Sequence, residues 1–415
     1  PAKNVSGGSD LSNFPVLISH TDPDIRITSF GGKAASGSGE FIFTSSNGTT
    51  SIPYEIERYS SSSGQFIGWV NVTTLSATQD TSIYMYYGGA AAGAATNQNK
   101  TGTWNSNYRG VWHLNEVVAD EGSGTNNHID STSNANHGDQ SGNDDVNGKM
   151  GTGQNFDGTD DIISTADQSY FSPVVNDITV SVWAKIPASA GSQGDSACSG
   201  TGRMLISKGA ASNWEWFIEN DNNSRICIDT FQIGGGDHAL ISSVRKTNDG
   251  LWHNITFTHD YSTALRFYFD GVQVAVATSF TGSMSDATAV LKMGERGDSS
   301  NYFTGYLDEM RISDTVSSQG TAGWIATEYN NQNSPRTFYT IGGQENRTPS
   351  TMKFGTTVSA DTKPGWYDPF SYRKKFTIPA KNVSGGSNLS NFPVLINHTD
   401  PDIRITSFGG KAASG

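Results

Sequence analysis

Short segments in which apolar and polar residues alternate run through the first part of the chain, from residue 17 to residue 87. Clusters of Gly, Ser and Asn, which are typical turn residues, separate these segments. Alternation with a period of two predicts half-buried strands, and many short strands with regular turns predict a β-sandwich. The segments read PVLI, DIRITSF, EFIFTS, IPYEIERY, FIGWVNV and SIYMYYG.

A second region of alternating segments begins at Tyr108 and continues to Glu345. Its clearest turn is Asp270-Gly271, because the two central residues of a tight hairpin need positive φ angles. Apolar residues at helical spacing between Trp324 and Asn330 predict one short helix. The sequence therefore predicts an all-β protein, with two β-sandwich or jelly-roll domains per repeat unit.

The chain also contains one stretch twice. Residues 1–37 recur as residues 379–415, and only Asp10 and Ser19 of the first copy are changed, each to Asn. A near-identical copy that begins 378 residues later indicates that the chain contains one unit of a tandem repeat, together with the start of the next unit. We expect a first domain over residues 1–104, a second over 105–345, a linker over 346–371, and the opening strands of a next copy over 372–415.

Several motifs resemble known families. DIRITSF, PYEIERY, GWVNV and TSIYMYYGG resemble the domain of unknown function DUF2341, which usually opens with a strand like YRKKFTI. In this sequence that strand precedes Pro379 and not Pro1. The second region resembles the laminin G-like, concanavalin A-type jelly roll, through the ordered motifs DSTSNANHGD, ITVSVWAKI, LWHNITFTHD, LRFYFDGVQVA and GYLDEMRISDT.

Composition and charge narrow the function. The 415 residues carry a net charge of −13, and the dense basic run is confined to residues 373–375, which argues against nucleic-acid binding. No apolar run reaches the roughly 20 residues that span a bilayer. Numerous Asn-X-Ser/Thr sequons give weak support to an extracellular or cell-surface location.

The loop from Asp130 to Gly138 is the candidate metal site. Its oxygen-rich side chains are of the kind that calcium prefers, and Asp308 offers a second carboxylate. The laminin G-like resemblance implies that the two motifs converge on one structural calcium, with Asn134 nearby. The alternative is that Asp130 only caps its loop and Asp308 pairs with Arg311.

The other candidate chemistry is limited. Glu215 and Glu219 share one side of a predicted strand, but the aromatic residues around them look like packing, and no strand carries the closely spaced carboxylates of a glycosidase. We therefore expect no enzyme. Glycan binding would need exposed aromatic residues, for which Trp214, Trp216 and Tyr302 are candidates.

Cys198 and Cys227 are the only cysteines of the chain. They lie in one predicted domain, so a disulfide between them is expected, and two buried thiols are the alternative.

The strand before the second copy suggests a mode of assembly. Since the first copy begins without such a strand, its sandwich would expose an unpaired edge. Residues 372–378 match the missing strand, with Tyr372, Lys374, Phe376 and Ile378 on one face. We expect this strand to complete the first domain of a neighbouring copy, head to tail.

The sequence thus favours a structural repeat unit of an extracellular filament or giant surface protein, which binds copies of itself. An adhesin or glycan-binding module is the alternative, and a glycoside hydrolase is a further one. All three functions are compatible with the predicted fold.

Overall fold

The computed structural model describes most of the chain. The described residues are 4–35, 40–89, 98–118, 126–172, 174–190, 198–209, 213–233, 239–241, 247–278, 282–346 and 372–378. Most of the predicted linker and the second copy of the repeated stretch lie outside the described residues.

Seven strands form the first sandwich. They are β1 (Leu11–Thr21), β2 (Ile42–Thr44), β3 (Tyr54–Ser60), β4 (Gln65–Leu75), β5 (Thr81–Tyr87), β21 (Thr340–Asn346) and β22 (Tyr372–Ile378). One antiparallel sheet has the order β1-β4-β3, and the other has the order β2-β5-β22-β21. In β1, Phe14, Val16 and Ile18 face the core of this sandwich, while Leu17 between them packs in a different cluster. This strand is therefore buried on both faces, and Leu17 points to the second sandwich.

Fifteen strands form the second sandwich. They are β6 (Tyr108–Trp112), β7 (Asp139–Ser141), β8 (Asp144–Asn147), β9 (Thr152–Asp157), β10 (Ile162–Thr165), β11 (Ile178–Lys185), β12 (Arg203–Lys208), β13 (Trp216–Asn220), β14 (Ile226–Thr230), β15 (Leu240–Ile241), β16 (Trp252–Asp260), β17 (Ala264–Phe269), β18 (Val272–Ala277), β19 (Leu291–Met293) and β20 (Thr304–Ser313). One sheet has the order β15-β14-β13-β12-β19-β10-β7. The other has the order β18-β17-β16-β11-β20-β9-β8, and β6 also pairs with β20. The all-β prediction is confirmed.

Local predictions in the second sandwich agree with the structure. Asp270 and Gly271 have φ angles of 51° and 75° and join β17 to β18, with Phe269 opposite Val272. Both residues adopt the left-handed conformation that a two-residue hairpin needs. Cys198 and Cys227 are joined by a disulfide, and their Cα atoms are 5.7 Å apart.

The helices are short and few among the described residues. They are α1 (Lys100–Thr103), α2 (Ala322–Asn333) and α3 (Pro335–Phe338), together with 3-10 turns at Pro23–Ile25, Thr28–Phe30, Ser169–Phe171 and Ala188–Ala190. Thr321 caps α2 by accepting a hydrogen bond from the Trp324 amide at 3.1 Å. Within the described part of the chain, no helix combines the length and the apolar character needed to cross a membrane.

The end of the predicted second domain belongs to the first sandwich. Trp324 of α2 packs on Phe14 with ring centroids 4.8 Å apart, and Phe338 and Tyr339 lie in the same core. Asn331 fixes α2 to β1, because its side chain accepts from the Leu17 amide at 2.7 Å and donates to the Leu17 carbonyl at 3.1 Å. Because these three aromatic residues are buried in the core of the first sandwich, the chain returns to that sandwich at α2. The predicted second domain over 105–345 is therefore too long.

The strand Tyr372–Ile378 also pairs within its own chain. It lies between β5 and β21, antiparallel to both, with Thr377 opposite Ser82 and Thr340. Our expectation that this strand completes a neighbouring copy is therefore wrong for this chain. The reason is that α2, α3 and β21 bring the chain back to the first sandwich, so the open position beside β5 is within reach. The side chains of Tyr372, Lys374, Phe376 and Ile378 lie outside the described residues.

Removal of β22 tests its contribution to stability. A chain that ends at residue 371 leaves β5 and β21 without the strand that pairs with both, so we expect its melting temperature to fall by at least about 5 °C. A chain that ends at residue 378 is the matched control and should melt like the full-length protein. Equal melting temperatures for the two truncated chains, measured by calorimetry, would contradict the role of this strand.

Candidate functional site

A polar cleft opens at one end of the second sandwich. It has a volume of about 450 Å³ and lies between the loop after Asp130, the end of β10 and the residue before β19. Its lining combines amide, hydroxyl, imidazole and carboxylate groups with a few small apolar side chains. The lining residues are Asn126, Asn134, Ala135, Asn136, His137, Asp139, Ser164, Thr165, Ala166, Gln168 and Val290.

Asp130 holds the loop that forms one wall of this cleft. Its Oδ1 accepts hydrogen bonds from the amides of Val111 and Thr132, at 3.0 and 2.9 Å. Its Oδ2 accepts from the Thr132 hydroxyl at 2.8 Å and from the Asn136 amide at 2.9 Å. Because all four bonds go to its own loop or to β6, the buried carboxylate fixes the wall of the cleft.

The imidazole of His137 has a defined role in the same wall. Its Nδ1 accepts a hydrogen bond from the Asp130 amide at 3.0 Å. A neutral imidazole carries its proton on the other nitrogen, so Nε2 is a donor. Gln168, on the opposite wall, makes no side-chain hydrogen bond within the described residues. The cleft thus offers both donors and acceptors to a bound molecule.

The predicted calcium ligands do not form one donor set. The Asn134 side chain donates to the carbonyls of Tyr108 and Arg109, at 3.1 and 3.2 Å. Asp308 lies on β20, is fully buried and accepts from the Met150 amide at 2.8 Å. Both oxygens of Asp130 already accept two hydrogen bonds each, and the described contacts of Asn134 and Asp308 go to other groups. These contacts do not fit a calcium ion shared by the three residues. They match the loop-cap alternative, and calcium binding itself stays a prediction.

A second polar cluster lies where the two sandwiches meet. Its centre is the buried guanidinium of Arg311, which lies 4.3 Å from the ring centroid of Trp69 and 4.8 Å from that of Trp104. Arg311 donates to Glu309 at 2.6 Å and also to Glu328 of α2. One cation thus connects β20, α2 and two tryptophans of the first sandwich. The alternative pairing of Asp308 with Arg311 is not what the structure shows.

His113 continues this cluster into the first sandwich. Its Nδ1 is 2.8 Å from Glu309 Oε1, and its Nε2 is 3.3 Å from Glu55 Oε2. Glu55 also accepts from Trp104 Nε1 at 2.8 Å and from the Ser131 hydroxyl at 2.7 Å. The imidazole therefore bridges a carboxylate of each sandwich, and we call this set of buried charged groups the interdomain cluster.

The two glutamates of β3 have opposite protonation behaviour. Burial acts to raise the pKa of Glu55, but His113 and Lys100 outweigh it and lower that pKa to about 2. Burial and the nearby Glu309 raise the pKa of Glu57 to about 8. Glu55 is thus ionised at neutral pH, while Glu57 holds a proton.

The pKa values of the other residues in the cluster also depend on the balance between burial and neighbouring charges. Burial acts to lower the pKa of His113, but Glu309 and Glu55 outweigh it and hold this pKa well above its usual value. Burial acts to raise the pKa of Glu309, but His113 and Arg311 lower it. Burial and Glu309 together raise the pKa of Asp308 well above its usual range. The cations His113 and Arg311 therefore face the carboxylates of Glu55 and Glu309, and Arg311 also contacts Glu328.

A β-bulge places Glu309 in this cluster. Ser181 of β11 pairs with Arg311 and Trp183 pairs with Asp308, so two residues of β20 lie opposite Val182 alone. Glu309 has a φ angle of 53°, which is unusual for a non-glycine residue. The bulge turns its carboxylate toward His113 and Arg311.

The described contacts of the interdomain cluster are those of an ion-pair network. Ligand atoms of Glu57, His113 and Glu309 lie within 4.8 Å of one another. However, both nitrogens of His113 already contact carboxylates, and the raised pKa of His113 keeps the ring protonated. A protonated imidazole has no lone pair for a metal ion.

The remaining candidates from the sequence lie elsewhere. Glu215 contacts Lys208, and Glu219 accepts from the Gly202 amide at 2.8 Å, so neither opens to the cleft. Trp216 is fully buried in the core of the second sandwich. Trp214 and Tyr302 are half-buried, and neither lines the polar cleft.

Sequence reasoning identified only part of both sites. The motif DSTSNANHGD contains Asn134, His137 and Asp139, but nothing in the sequence pairs it with Ser164 and Gln168. No local pattern distinguishes Glu55, His113 and Arg311 from ordinary strand residues. Their importance depends on contacts between distant segments.

The interdomain cluster predicts how stability depends on pH. The pKa of Glu57 rises on folding to about 8, so its stabilising proton is lost as the pH rises from about 4.5 to 8. The pKa of Glu55 falls on folding to about 2, so its contribution is lost as the pH falls from about 4.5 to 2. We expect the highest melting temperature near pH 5, and a decrease of at least about 5 °C between pH 5 and pH 8.

Glu57→Gln separates this effect from general charge repulsion. Glutamine resembles the protonated acid, so the variant should show a smaller decrease between pH 5 and pH 8 than wild type. The remaining decrease comes from Asp308 and His113, whose pKa values are also raised on folding. Asp286→Asn, at an exposed position of the second sandwich, is the control and should keep the wild-type profile. Identical pH profiles for Glu57→Gln and wild type would show that Glu57 does not titrate in this range.

Two family models match the chain, and the first extends past the first sandwich into β6 and β7. Residues 38–141 match the family model of DUF2341, a domain of unknown function. Residues 157–323 match the model of the concanavalin A-like lectin/glucanases superfamily. The second match ends where α2 begins to pack in the first sandwich. No curated protein matches the sequence.

Solved structures that match this chain share little of its sequence. The binding domain of Paraclostridial Mosquitocidal Protein 1 is 14% identical over 54% of this chain and 52% of its own length, with a TM-score of 0.40. Domain 4 of AbnA, a GH43 extracellular arabinanase from Geobacillus stearothermophilus solved with arabinotriose, is 18% identical over 53% of this chain and 96% of its own, with a TM-score of 0.37.

The botulinum neurotoxin serotype D ligand-binding domain, solved with N-acetylneuraminic acid, is 12% identical over 56% of this chain and 53% of its own, with a TM-score of 0.40. This chain spans about half the length of the two toxin domains. The family models give the chain the order that its sequence predicts, a DUF2341 domain followed by a concanavalin A-like domain.

Proposed function

We propose that the protein is an extracellular binding module that recognises neutral glycans in the polar cleft. The observation that carries this proposal is the lining of the cleft, in which amides and hydroxyls from two separate segments face one space. Sugars present hydroxyl groups that both donate and accept hydrogen bonds, and such a lining matches them. The match to a superfamily named for lectins and glucanases supports a carbohydrate ligand.

The carboxylates favour binding over hydrolysis. A glycosidase uses two carboxyl groups about 5–10 Å apart. Asp139 is the single acidic residue among the described residues that line the cleft. The lining therefore supplies hydrogen-bond partners for a sugar but only one of the two groups that cleavage requires.

The charge favours neutral over acidic sugars. The chain has a net charge of −13, and among the described lining residues there is no Lys or Arg. Recognition of a carboxylate or sulfate on a sugar normally uses such a cation. An uncharged oligosaccharide avoids repulsion by Asp139.

Binding to an oligosaccharide array tests this proposal. We expect the protein to bind neutral oligosaccharides and not their sialylated forms. Gln168→Ala removes one cleft side chain without breaking a described hydrogen bond, and it should weaken binding about fivefold to tenfold. Gln273→Ala, on an exposed position of β18, is the matched control and should bind like wild type.

Two results would contradict the proposal. One is the absence of binding to every neutral oligosaccharide on the array. The other is equal affinity of the Gln168→Ala and wild-type proteins, since the glycan would then bind outside the cleft.

We further infer that this chain is one repeat unit of a larger surface protein, a function that the duplication supports. The copy of residues 1–37 at residues 379–415 directly follows β22. In the first sandwich, Asn4 donates to the Phe338 carbonyl at 2.6 Å, two residues before Thr340, which pairs with Thr377. The end of β22 thus lies beside the start of the first copy, as a strand that precedes each copy would.

The mass of the native polypeptide tests this second function. Denaturing, reducing electrophoresis of the protein from its source should give a band much larger than the 44.3 kDa of this chain. Immunodetection with an antibody to the second sandwich identifies the band. A single band near the mass of one unit would contradict the repeat proposal and leave the glycan proposal intact.

A further inference from the structure

Lys208 is a buried lysine inside the second sandwich. It is the last residue of β12, and its side chain is 0% exposed. Lys208 pairs across the sheet with Trp216 of β13 and with Leu291 of β19, both of which belong to the apolar core. Cross-strand partners share a face of the sheet, so the ammonium group is directed into the core.

Two carboxylates contact this lysine. Its Nζ lies 2.6 Å from Oδ1 of Asp167 and 2.9 Å from Oε2 of Glu215. Nζ also donates to the Ala289 carbonyl at 2.5 Å. The ammonium thus lies between two carboxylates, of which only Asp167 is partly exposed.

The two carboxylates are held differently. Glu215 is 0% exposed, and its Oε1 accepts from the amides of Ala287 and Ala289, at 3.1 and 3.2 Å. These bonds fix Glu215 and leave Oε2 toward the lysine. Asp167 lies in the loop after β10, and its side chain is 25% exposed. Its neighbours Ala166 and Gln168 line the polar cleft, so this carboxyl group is next to solvent.

We propose that Lys208 and Asp167 become joined by an intramolecular isopeptide bond, with Glu215 as the group that transfers the protons. Glu215 takes a proton from the ammonium, and the free Nζ attacks Cγ of Asp167. A C–N bond forms, and Glu215 passes this proton to one carboxyl oxygen of Asp167. Glu215 then carries a second proton from the attached nitrogen to the same oxygen, so the C–O bond breaks and the oxygen leaves as water. The ammonium and the carboxylate become an amide plus one water, and no oxidant or cofactor is needed.

The geometry explains why Asp167 is the acceptor. Its Oδ1 is 2.6 Å from Nζ, and Cγ, the atom to be attacked, is one bond beyond that oxygen. A near-attack arrangement needs roughly 3–3.5 Å between the reacting atoms. Water released at Asp167 can leave through the adjacent cleft, whereas water released at Glu215 would be trapped in the core. An apolar, enclosed site also favours the uncharged amide over the separate ions.

The isopeptide bond would connect two strands that are not hydrogen-bonded to each other, because β19 lies between them. β12 and β10 both pair with β19, so the cross-link would span β19 and fix the loop after β10. That loop forms one wall of the cleft, and the cross-link would hold it in place. This proposal does not depend on what the cleft binds.

Intact mass spectrometry tests the proposal directly. After reduction of the disulfide, the wild-type protein should be lighter than its sequence mass by one water. After protease digestion, a branched peptide should connect the segments that carry Lys208 and Asp167. Lys292 on β19 contacts Glu295 and no second carboxylate among the described residues, so it is the internal control and should appear only in linear peptides.

Three variants assign the roles. Asp167→Ala and Lys208→Arg should show the full sequence mass, because each lacks one reacting group. Glu215→Gln keeps the size of the side chain but cannot transfer the protons, so it should also keep the full mass, with circular dichroism showing that it is folded. A wild-type protein at its full sequence mass would overturn the proposal, whatever the variants do. A branch at Glu215 instead of Asp167 would overturn the assignment of the acceptor.

Discussion

The buried guanidinium of Arg311 is the constraint on which the arrangement of the two sandwiches depends. An arginine keeps its charge at every ordinary pH, so a fold that encloses it must supply anions and aromatic faces around it. These come from separate parts of the chain: Glu309 from β20, Glu328 from α2, and Trp69 and Trp104 from the first sandwich. Neither sandwich alone satisfies this cation. The guanidinium thus holds the two domains and α2 together.

The sequence predicted those features that depend on local patterns. Strand alternation, the Asp270-Gly271 turn and the helix at Trp324 follow from period and turn chemistry, which are properties of adjacent residues. The path of the chain after α2 was not predictable, because the partner of Trp324 is Phe14, more than 300 residues away. The position of Glu309 was equally hidden, since a bulge is set by the pairing of two strands and leaves no sequence signal of its own. The polar cleft was predictable only in part. The motif DSTSNANHGD indicated one of its walls, but no motif indicated the wall that contains Ser164 and Gln168.

The two buried cations of this protein differ in chemistry. Arg311 cannot give up its proton, so its environment can only stabilise it through ion pairs and ring contacts. Lys208 has a basic nitrogen that becomes a nucleophile once it is deprotonated, and its two carboxylate neighbours are an acceptor and a proton carrier. The same physical problem, a charge in a low-dielectric interior, therefore allows a static solution at one site and a reactive one at the other. The residue types agree with this contrast, since the static site at the interface contains an arginine and the reactive site in the core contains a lysine.

The position of β22 beside β21 and near Asn4 makes the second sandwich an insertion within the first. The chain leaves the first sandwich after α1 and comes back at α2, and Asn331 ties that return to β1. A pulling force applied at residues 4 and 378 would therefore pass through the first sandwich alone. β22 would separate from β5 and β21 before any tension reached the second sandwich. The concanavalin A-like domain, with its cleft, would stay mechanically unloaded under flow or traction for as long as the smaller sandwich remained closed.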